Sequence, residues 1–179
     1  PLPAVFFLDR APPVHFRMIE QVLTIGAYGF DERSFLRAIR DAGVDLFIDV
    51  RARRGVRGSE YAFANATRLQ QLLAKAKIAY VHTPELAPSE EIRRAQYQED
   101  AAEGVGQRKR EHLSPAFVKG YTSSRLRRFD AAAFVESVCG EARRPVLFCV
   151  ETRPEACHRS LLAGEIARQL SVPVRHLTP

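Results

Sequence analysis

The chain has 179 residues, 46% of them hydrophobic and 27% charged, which suits one globular domain with a full core and argues against a disordered protein. Its 27 lysines and arginines outnumber its 21 acidic residues, and the net charge of +6 favours anionic partners such as nucleotides or nucleic acid. No apolar run approaches the ~20 residues of a bilayer-spanning helix, so we expect no membrane segment.

The first 17 residues, PLPAVFFLDRAPPVHFR, precede the only methionine, Met18. They are rich in proline and lack the apolar core of a signal peptide. We interpret residues 1–17 as an extension before a native start at Met18; the alternative is an ordered arm that packs its apolar residues on the domain. An odd number of cysteines, three, without a secretory context favours the cytoplasm.

The next part of the chain predicts a strand, a helix and a second strand. Residues 22–25, VLTI, form an apolar strand that stops at Gly26. A helix is expected from a cap at Asp31 to a stop at Gly43. Residues 46–50, LFIDV, predict a strand that is buried on both faces apart from its end.

A second helix and a third strand follow, and then a charged region. Residues 67–77 have leucines spaced for a buried helical stripe, and residues 78–82, IAYVH, predict a strand. The charged region from Ser89 to Phe129 is expected to be mostly helical, with helix starts at Ser89 and at Ser114 before Pro115.

The last part predicts two more helices and two more strands. Asp130 can cap a helix, residues 146–150 form a fourth strand, and residues 158–170 form the last long helix. Residues 172–177 predict a closing strand at a sheet edge, because Pro173 lacks an N–H for a ladder bond. This alternation predicts an α/β fold: a single three-layer domain from residue 18 to 179, with a mostly parallel sheet of four or five strands and helices on both faces.

Polar or reactive residues follow four of the predicted strands. Ligands of open α/β sheets bind outside the carboxyl ends of the strands, so these side chains are expected to share one site. They are Gly26 and Tyr28, Asp49 and Arg51, His82, and Cys149 with Glu151.

Several segments, in order, resemble a known family. They are TIG at 24–26, IDVR at 48–51, IAYVH at 78–82, and LFCVE…P…CHRSLLA at 147–163. Together they resemble the domain-of-unknown-function family 488 from Met18 to the C-terminus, and the last segment is the most specific. RARRGVRGSEYAFAN at 51–65 and HTPELAPS at 82–89 resemble one subgroup, whereas Ala27 and Tyr28 depart from many relatives. The resemblance implies an α/β domain and no particular reaction.

The loop before the last helix concentrates reactive side chains. Cys157 would lie at a helix amino end, where the pKa of a thiol is commonly lowered. His158 and Arg159 would lie in the first turn, where free N–H groups favour an anion. We predict Glu151, Cys157 and His158 as catalytic residues. The predicted substrate-binding residues are Asp49, Arg51, His82 and Arg159.

Structural roles are the alternative for several of these residues. Glu151 and Arg159 can form an ion pair that ties the loop to the helix, and Asp49 with Arg51 can orient a turn. His82 can simply satisfy a backbone group. A metal site is a further alternative, because Cys149, Cys157 and His158, with Glu151 nearby, are zinc-type ligands. Their spacing is not that of paired CxxC knuckles, and neighbouring residues bind one ion only with an unusual backbone.

Basic clusters extend the possible anion surface. Arg51, Arg53, Arg54 and Arg57 share one glycine-punctuated loop, and Arg108-Lys109-Arg110 form a second cluster. The leading hypothesis is an enzyme that acts on a phosphate-bearing substrate, either a nucleotide or a nucleic acid. The alternatives are a non-catalytic nucleic-acid-binding module and a structural or redox metal-binding protein. The pattern indicates no particular cofactor.

Overall fold

The structure, a computed structural model, describes residues 19–179, and the expectations for residues 1–17 and Met18 lie outside this range. Its sheet has five strands in the order β3-β2-β4-β1-β5, and every pair of neighbours is parallel. The α/β fold expected from the sequence is therefore confirmed. The strands are β1 (Val22–Ile25), β2 (Leu46–Asp49), β3 (Ala79–His82), β4 (Pro145–Phe148) and β5 (Val174–Leu177).

Helices cover both faces of this sheet. No helix of the described part of the chain is long and apolar enough to cross a membrane. The helices are α1 (Glu32–Asp41), α2 (Ala66–Lys75), α3 (Glu90–Ala102), α4 (Pro115–Ser124), α5 (Ala131–Phe134) and α6 (His158–Leu170). A π-helical turn, Val135–Cys139, continues α5.

The helix starts follow the capping residues expected from the sequence. Asp31 accepts a 2.6 Å hydrogen bond from the backbone N–H of Ser34, and Ser114 accepts one of 3.2 Å from that of Phe117. Both bonds satisfy N–H groups that have no partner within the helix. The helix expected over 67–77 instead ends at Lys75, and Lys77 takes a positive φ of 59°.

Alternate residues of the strands face two separate cores. Phe47 of β2 packs under α1 and α2, whereas its neighbour Ile48 packs under α4, α5 and α6. Burying each such side chain stabilises the fold by about 1.5–3 kcal/mol. The helices contribute Phe35, Ile39, Leu69 and Leu73 to the first core and Phe117, Tyr121, Phe134, Leu162 and Ile166 to the second.

The strand order places the segment after β4 at the centre of the carboxyl edge. The carbonyl of Val150 accepts the N–H groups of Ala27 and Tyr28 at 3.2 and 2.9 Å. On the other side, the N–H of Val50 donates to the carbonyl of Phe148 at 3.2 Å. The residues that follow β1, β2 and β4 are thus joined directly.

Candidate active site

The loop after β4 is held between a glycine and a buried arginine. A Cβ on Gly26 would lie 1.9 Å from the carbonyl oxygen of Glu151, so only glycine permits this approach. From the other side, the guanidinium of Arg159 donates to the carbonyls of Glu151 and Thr152 at 2.8 and 3.1 Å. Arg159 has no exposed surface. These contacts fix the backbone that carries the Glu151 side chain.

Cys157, Glu151 and His158 are in direct contact. The Cys157 Sγ lies 3.0 Å from Oε2 of Glu151 and 3.8 Å from Nδ1 of His158. The His158 Nε2 lies 3.2 Å from the carbonyl oxygen of Val50. A carbonyl only accepts, so Nε2 carries a hydrogen and Nδ1 faces the thiol. The three predicted catalytic side chains therefore form one cluster.

The pKa values in this cluster are displaced in directions that fit one protonation pattern. Burial, reinforced by Cys157, raises the pKa of the Glu151 carboxyl. Burial also acts to raise the pKa of Cys157, but a hydrogen bond from Cys149 and the charges of Arg159 and His158 bring it well below its usual value. Burial acts to lower the pKa of His158, yet the neighbouring Cys157 raises it. Compared with the same groups in water, these directions favour the charged forms of Cys157 and His158 and the neutral form of Glu151.

Cys149 completes the cluster. One ligand atom each from Cys149, Cys157 and His158 lie within 4.8 Å of one another, and all three residues are buried. Cys157 is extended, with φ −142° and ψ 140°, and His158 begins α6, so these adjacent side chains reach the same point. Thiolate and imidazole ligands are those that zinc prefers, and the Val50 carbonyl would hold the outer nitrogen of the imidazole.

A cleft of about 970 Å³ opens above this cluster. Its floor includes Cys149, Glu151, Cys157 and His158. Eight basic residues line the cleft against two acidic ones, so the positive charge is concentrated where a ligand would enter. The basic residues are Arg51, Arg53, Arg57, Arg93, Arg94, Arg108, Lys109 and Arg110, and the acidic ones are Glu90 and Glu151.

Three of these cations are exposed and have no carboxylate partner in the described part of the chain: Arg53, Arg57 and Lys109. The others include Arg108, which pairs with Glu60 at 3.0 Å. The free cations are the groups that an incoming anion would meet first, because neutralised guanidinium groups attract it less.

Arg51 lines the cleft but is largely occupied by the protein itself. Its Nε and NH2 groups donate to the two oxygens of Asp49, both at 2.8 Å, and NH1 donates to the carbonyl of Ala64 at 3.0 Å. The same guanidinium lies 4.5 Å from the ring centre of Phe148. His82 contacts the carbonyl oxygen of Arg51 through Nε2 at 2.8 Å. Asp49, Arg51 and His82 thus hold one another in place at the edge of the cleft.

The predicted site residues fall into two groups. Arg51, Cys149, Glu151, Cys157 and His158 line the cleft, whereas Asp49, His82 and Arg159 lie outside its lining. The residues of this second group instead contact the backbone and other side chains of the site.

Two residues that no sequence pattern indicates hold the Glu151 carboxyl from the other side. Gln107 donates to its Oε1 at 3.1 Å, and NH1 of Arg110 lies 3.9 Å from the same oxygen. Arg110 is held in turn by Asp100, which also accepts a 2.9 Å hydrogen bond from Gln96. In the sequence Arg110 belongs to a basic cluster, and Asp100 and Gln96 lie in a segment with the composition of a solvated helix, so nothing there indicates a role near Glu151.

A known protein family covers most of the chain, including this site. Residues 32–166 match the family model described as Domain of unknown function DUF488, a span that starts at α1 and includes every residue of the cluster. No curated protein and no solved structure matches the chain. Since the matched span is more than half of the 179 residues, the chain belongs to the DUF488 family.

Proposed function

We propose that this protein is an enzyme that acts on a phosphate-bearing substrate, a nucleotide or a nucleic acid. The observation that carries the proposal is the Cys157–Glu151–His158 cluster on the floor of a basic cleft. A displaced set of titratable groups at the base of a charged cleft is typical of catalytic sites.

The exposed cations would bind the phosphate. Arg53, Arg57 and Lys109 line the cleft and have no carboxylate partner in the described residues. A guanidinium fork matches two phosphate oxygens, and a lysine adds a compact charge. Arg51 and Arg159, which the sequence suggested as anion binders, act in this proposal as positioning residues that hold the loops.

The cluster would carry out the chemical step. Cys157 attacks an electrophilic atom of the substrate, and the bond from that atom to its leaving oxygen breaks. Glu151 gives its proton to the leaving oxygen, and the resulting carboxylate can take a proton from the water that releases the product. The imidazolium of His158, 3.8 Å from the sulfur, stabilises the thiolate before attack.

Binding can be tested with fluorescently labelled nucleotides and a short single-stranded RNA at about 50 and about 200 mM salt. We expect the double variant Arg53→Ala/Arg57→Ala to bind at least about tenfold more weakly, a loss of about 1.4 kcal/mol. Arg33→Ala/Arg37→Ala, which removes two exposed arginines of α1 outside the cleft lining, serves as the matched control. No binding by the parent protein, or an equal loss in the control, would contradict the anion site.

A turnover assay distinguishes the enzyme proposal from the alternative of a non-catalytic binding module. Across a panel of nucleotides and oligonucleotides, Glu151→Gln and Cys157→Ser should retain binding and lose product formation measured by chromatography. If the parent protein binds with a steep salt dependence and releases no product, the non-catalytic nucleic-acid-binding alternative takes its place.

A metal-binding protein is the second candidate, because the ligand atoms of Cys149, Cys157 and His158 lie within 4.8 Å of one another. Elemental analysis of untagged protein is the test. Less than about half an equivalent of a transition metal contradicts a structural zinc site, which binds tightly. For either candidate we propose a cytoplasmic location, supported by three cysteines that are all unpaired.

A further inference from the structure

Two of the three cysteines converge from opposite ends of one loop. Cys149 follows β4, Cys157 precedes α6, and their sulfur atoms lie within 4.8 Å of each other. Both line the basic cleft. The third cysteine, Cys139, ends the π-helical turn after α5, is buried in the second core and does not line the cleft. The chain therefore holds one vicinal dithiol and, away from it, an isolated thiol.

We propose that Cys157 and Cys149 form a reactive dithiol that reduces hydroperoxides and closes to a disulfide. This activity is separate from the proposed action on phosphate-bearing substrates, and it requires neither the arginines of the cleft nor an anion. The oxidant class, a hydroperoxide, is uncharged and therefore needs no cation of the cleft. Both cysteines are buried where they line the cleft, so the oxidant must approach them through it.

The first step consumes the hydroperoxide. The sulfur of Cys157 attacks the terminal peroxide oxygen, an S–O bond forms, and the O–O bond breaks. The leaving oxygen takes a proton and departs as an alcohol or as water, while Cys157 becomes a sulfenic acid. Glu151 is placed to give that proton, because its Oε2 lies 3.0 Å from the Cys157 sulfur.

The second step uses Cys149. Its sulfur attacks the sulfenic sulfur of Cys157, the S–S bond forms, and the hydroxyl leaves as water with the Cys149 proton. A disulfide needs the two sulfurs at about 2.05 Å, so they must approach by up to about 3 Å. The Cys157 side chain makes no capping hydrogen bond to α6, so closure of the disulfide requires it to exchange its contact with Glu151 for a bond to Cys149.

The order of the two sulfurs follows from their surroundings. Cys157 lies at the amino end of α6 with a carboxyl and an imidazole in contact, whereas Cys149 continues a central strand. Its N–H donates to the carbonyl of Ile25 at 3.2 Å, which fixes its backbone in the sheet. Cys157 is therefore the attacking thiol and Cys149 the resolving thiol.

The test uses the full chain, reduced with a dithiol reagent and divided into samples with and without prior treatment with a chelator, which are then exposed to hydrogen peroxide or cumene hydroperoxide. We expect the parent to lose two thiols and peptide mapping to find a Cys149–Cys157 disulfide that the dithiol reagent reopens. Cys139→Ser, the matched control, should do the same. Cys149→Ser should accumulate a sulfenic acid on Cys157 that a dimedone reagent traps, and Cys157→Ser should leave Cys149 unreacted.

Four results would overturn the proposal. They are three intact thiols after oxidation, faster oxidation of Cys139, direct conversion of Cys157 to a sulfinic acid with Cys149 untouched, and a metal whose removal is required before either thiol reacts. Should a site variant fail to fold by circular dichroism, disulfide mapping in the parent and in Cys139→Ser still decides. The cleft arginine variants measure the phosphate proposal independently, so either proposal can fail alone.

Discussion

At the scale of single residues, Asp49 and Arg51 form a buried ion pair at the edge of the site. Both side chains are buried, with 0% and 3% of their surface exposed. We expect Asp49→Asn to lower the free energy of unfolding by about 3–5 kcal/mol, because it leaves a buried guanidinium without its counter-charge. Urea unfolding measures the loss.

The matched comparison for this prediction is an exposed ion pair. Arg68 and Glu32 pair with 57% and 35% of their side chains exposed. Glu32→Gln should therefore change stability by less than about 1 kcal/mol. Similar losses in the two variants would mean that the Asp49–Arg51 pair is not held away from water as the structure indicates.

Gly26 gives a second prediction at this scale. An alanine there would meet the carbonyl carbon of Glu151 at 2.9 Å as well as its oxygen, so Gly26→Ala must displace the loop. We expect Gly26→Ala to lower the free energy of unfolding by about 1–3 kcal/mol. Because the loop carries Glu151, we also expect a loss of the product formation proposed for the Cys157–Glu151–His158 cluster. Gly55→Ala is the control, because its Cβ would meet no atom within 4 Å.

At the scale of elements, two helical glycines make opposite predictions from the same substitution. In α6 a Cβ on Gly164 would meet nothing within 4 Å, so Gly164→Ala should stabilise the protein by about 0.5–1 kcal/mol. In α4 a Cβ on Gly120 would lie 3.2 Å from Ile92. Gly120→Ala should therefore stabilise the protein less than Gly164→Ala does, or destabilise it. Thermal unfolding of both variants checks this, and an equal gain in both would contradict the close packing of α3 on α4.

The elements themselves were largely predictable because their signals are local. Caps such as Asp31 and Ser114 act within three residues, and apolar runs mark strands directly. The π-helical turn at Val135–Cys139 was expected to be ordinary helix, since nothing in its residues distinguishes the two. The strand order was not predictable, because it depends on packing between segments far apart in sequence.

The proximity of the candidate site residues was predictable from the sequence, but the contacts of each side chain were less so. Parallel strands bring their carboxyl ends together, which sufficed to group Glu151, Cys157 and His158. The occupation of Arg51 by Asp49 and by the Ala64 carbonyl depends on how a loop folds back, and sequence spacing does not report that. Gln107 reaches Glu151 across 44 positions of the chain for the same reason.

At the scale of the whole molecule, the burial of a thiol should make the free energy of unfolding fall at alkaline pH. Burial, with a smaller contribution from Asp45, raises the pKa of Cys139 from 9.0 to about 12. A group whose pKa is higher in the folded state gives stability that is intact below its unfolded pKa and is lost as pH rises toward its folded pKa. Titration of Cys139 should thus lower the free energy of unfolding by on the order of 4 kcal/mol between about pH 9 and about pH 12.

Urea unfolding at several alkaline pH values measures this loss. Cys139→Ala should be less stable than the parent near neutral pH, because of the cavity it leaves, and should show a shallower decline above about pH 9. The slope of unfolding free energy against pH reports the titration of the thiol, whereas the difference near neutral pH reports the loss of packing. Equal slopes in the two proteins would show that the Cys139 thiol titrates alike in the folded and unfolded chains.

The strand order also determines when this fold can form. β4 lies between β1 and β2, so the two strands that come first in the chain do not touch in the sheet. Among residues 19–179, β1 pairs with β4 and β5 alone, at separations such as Leu23 to Val146 and Val22 to Val174. A growing chain that has not yet passed residue 144 therefore holds an apolar β1 with neither neighbour to pair with. We expect slow folding dominated by these distant pairings, with assembly of the sheet delayed until β4 has left the ribosome.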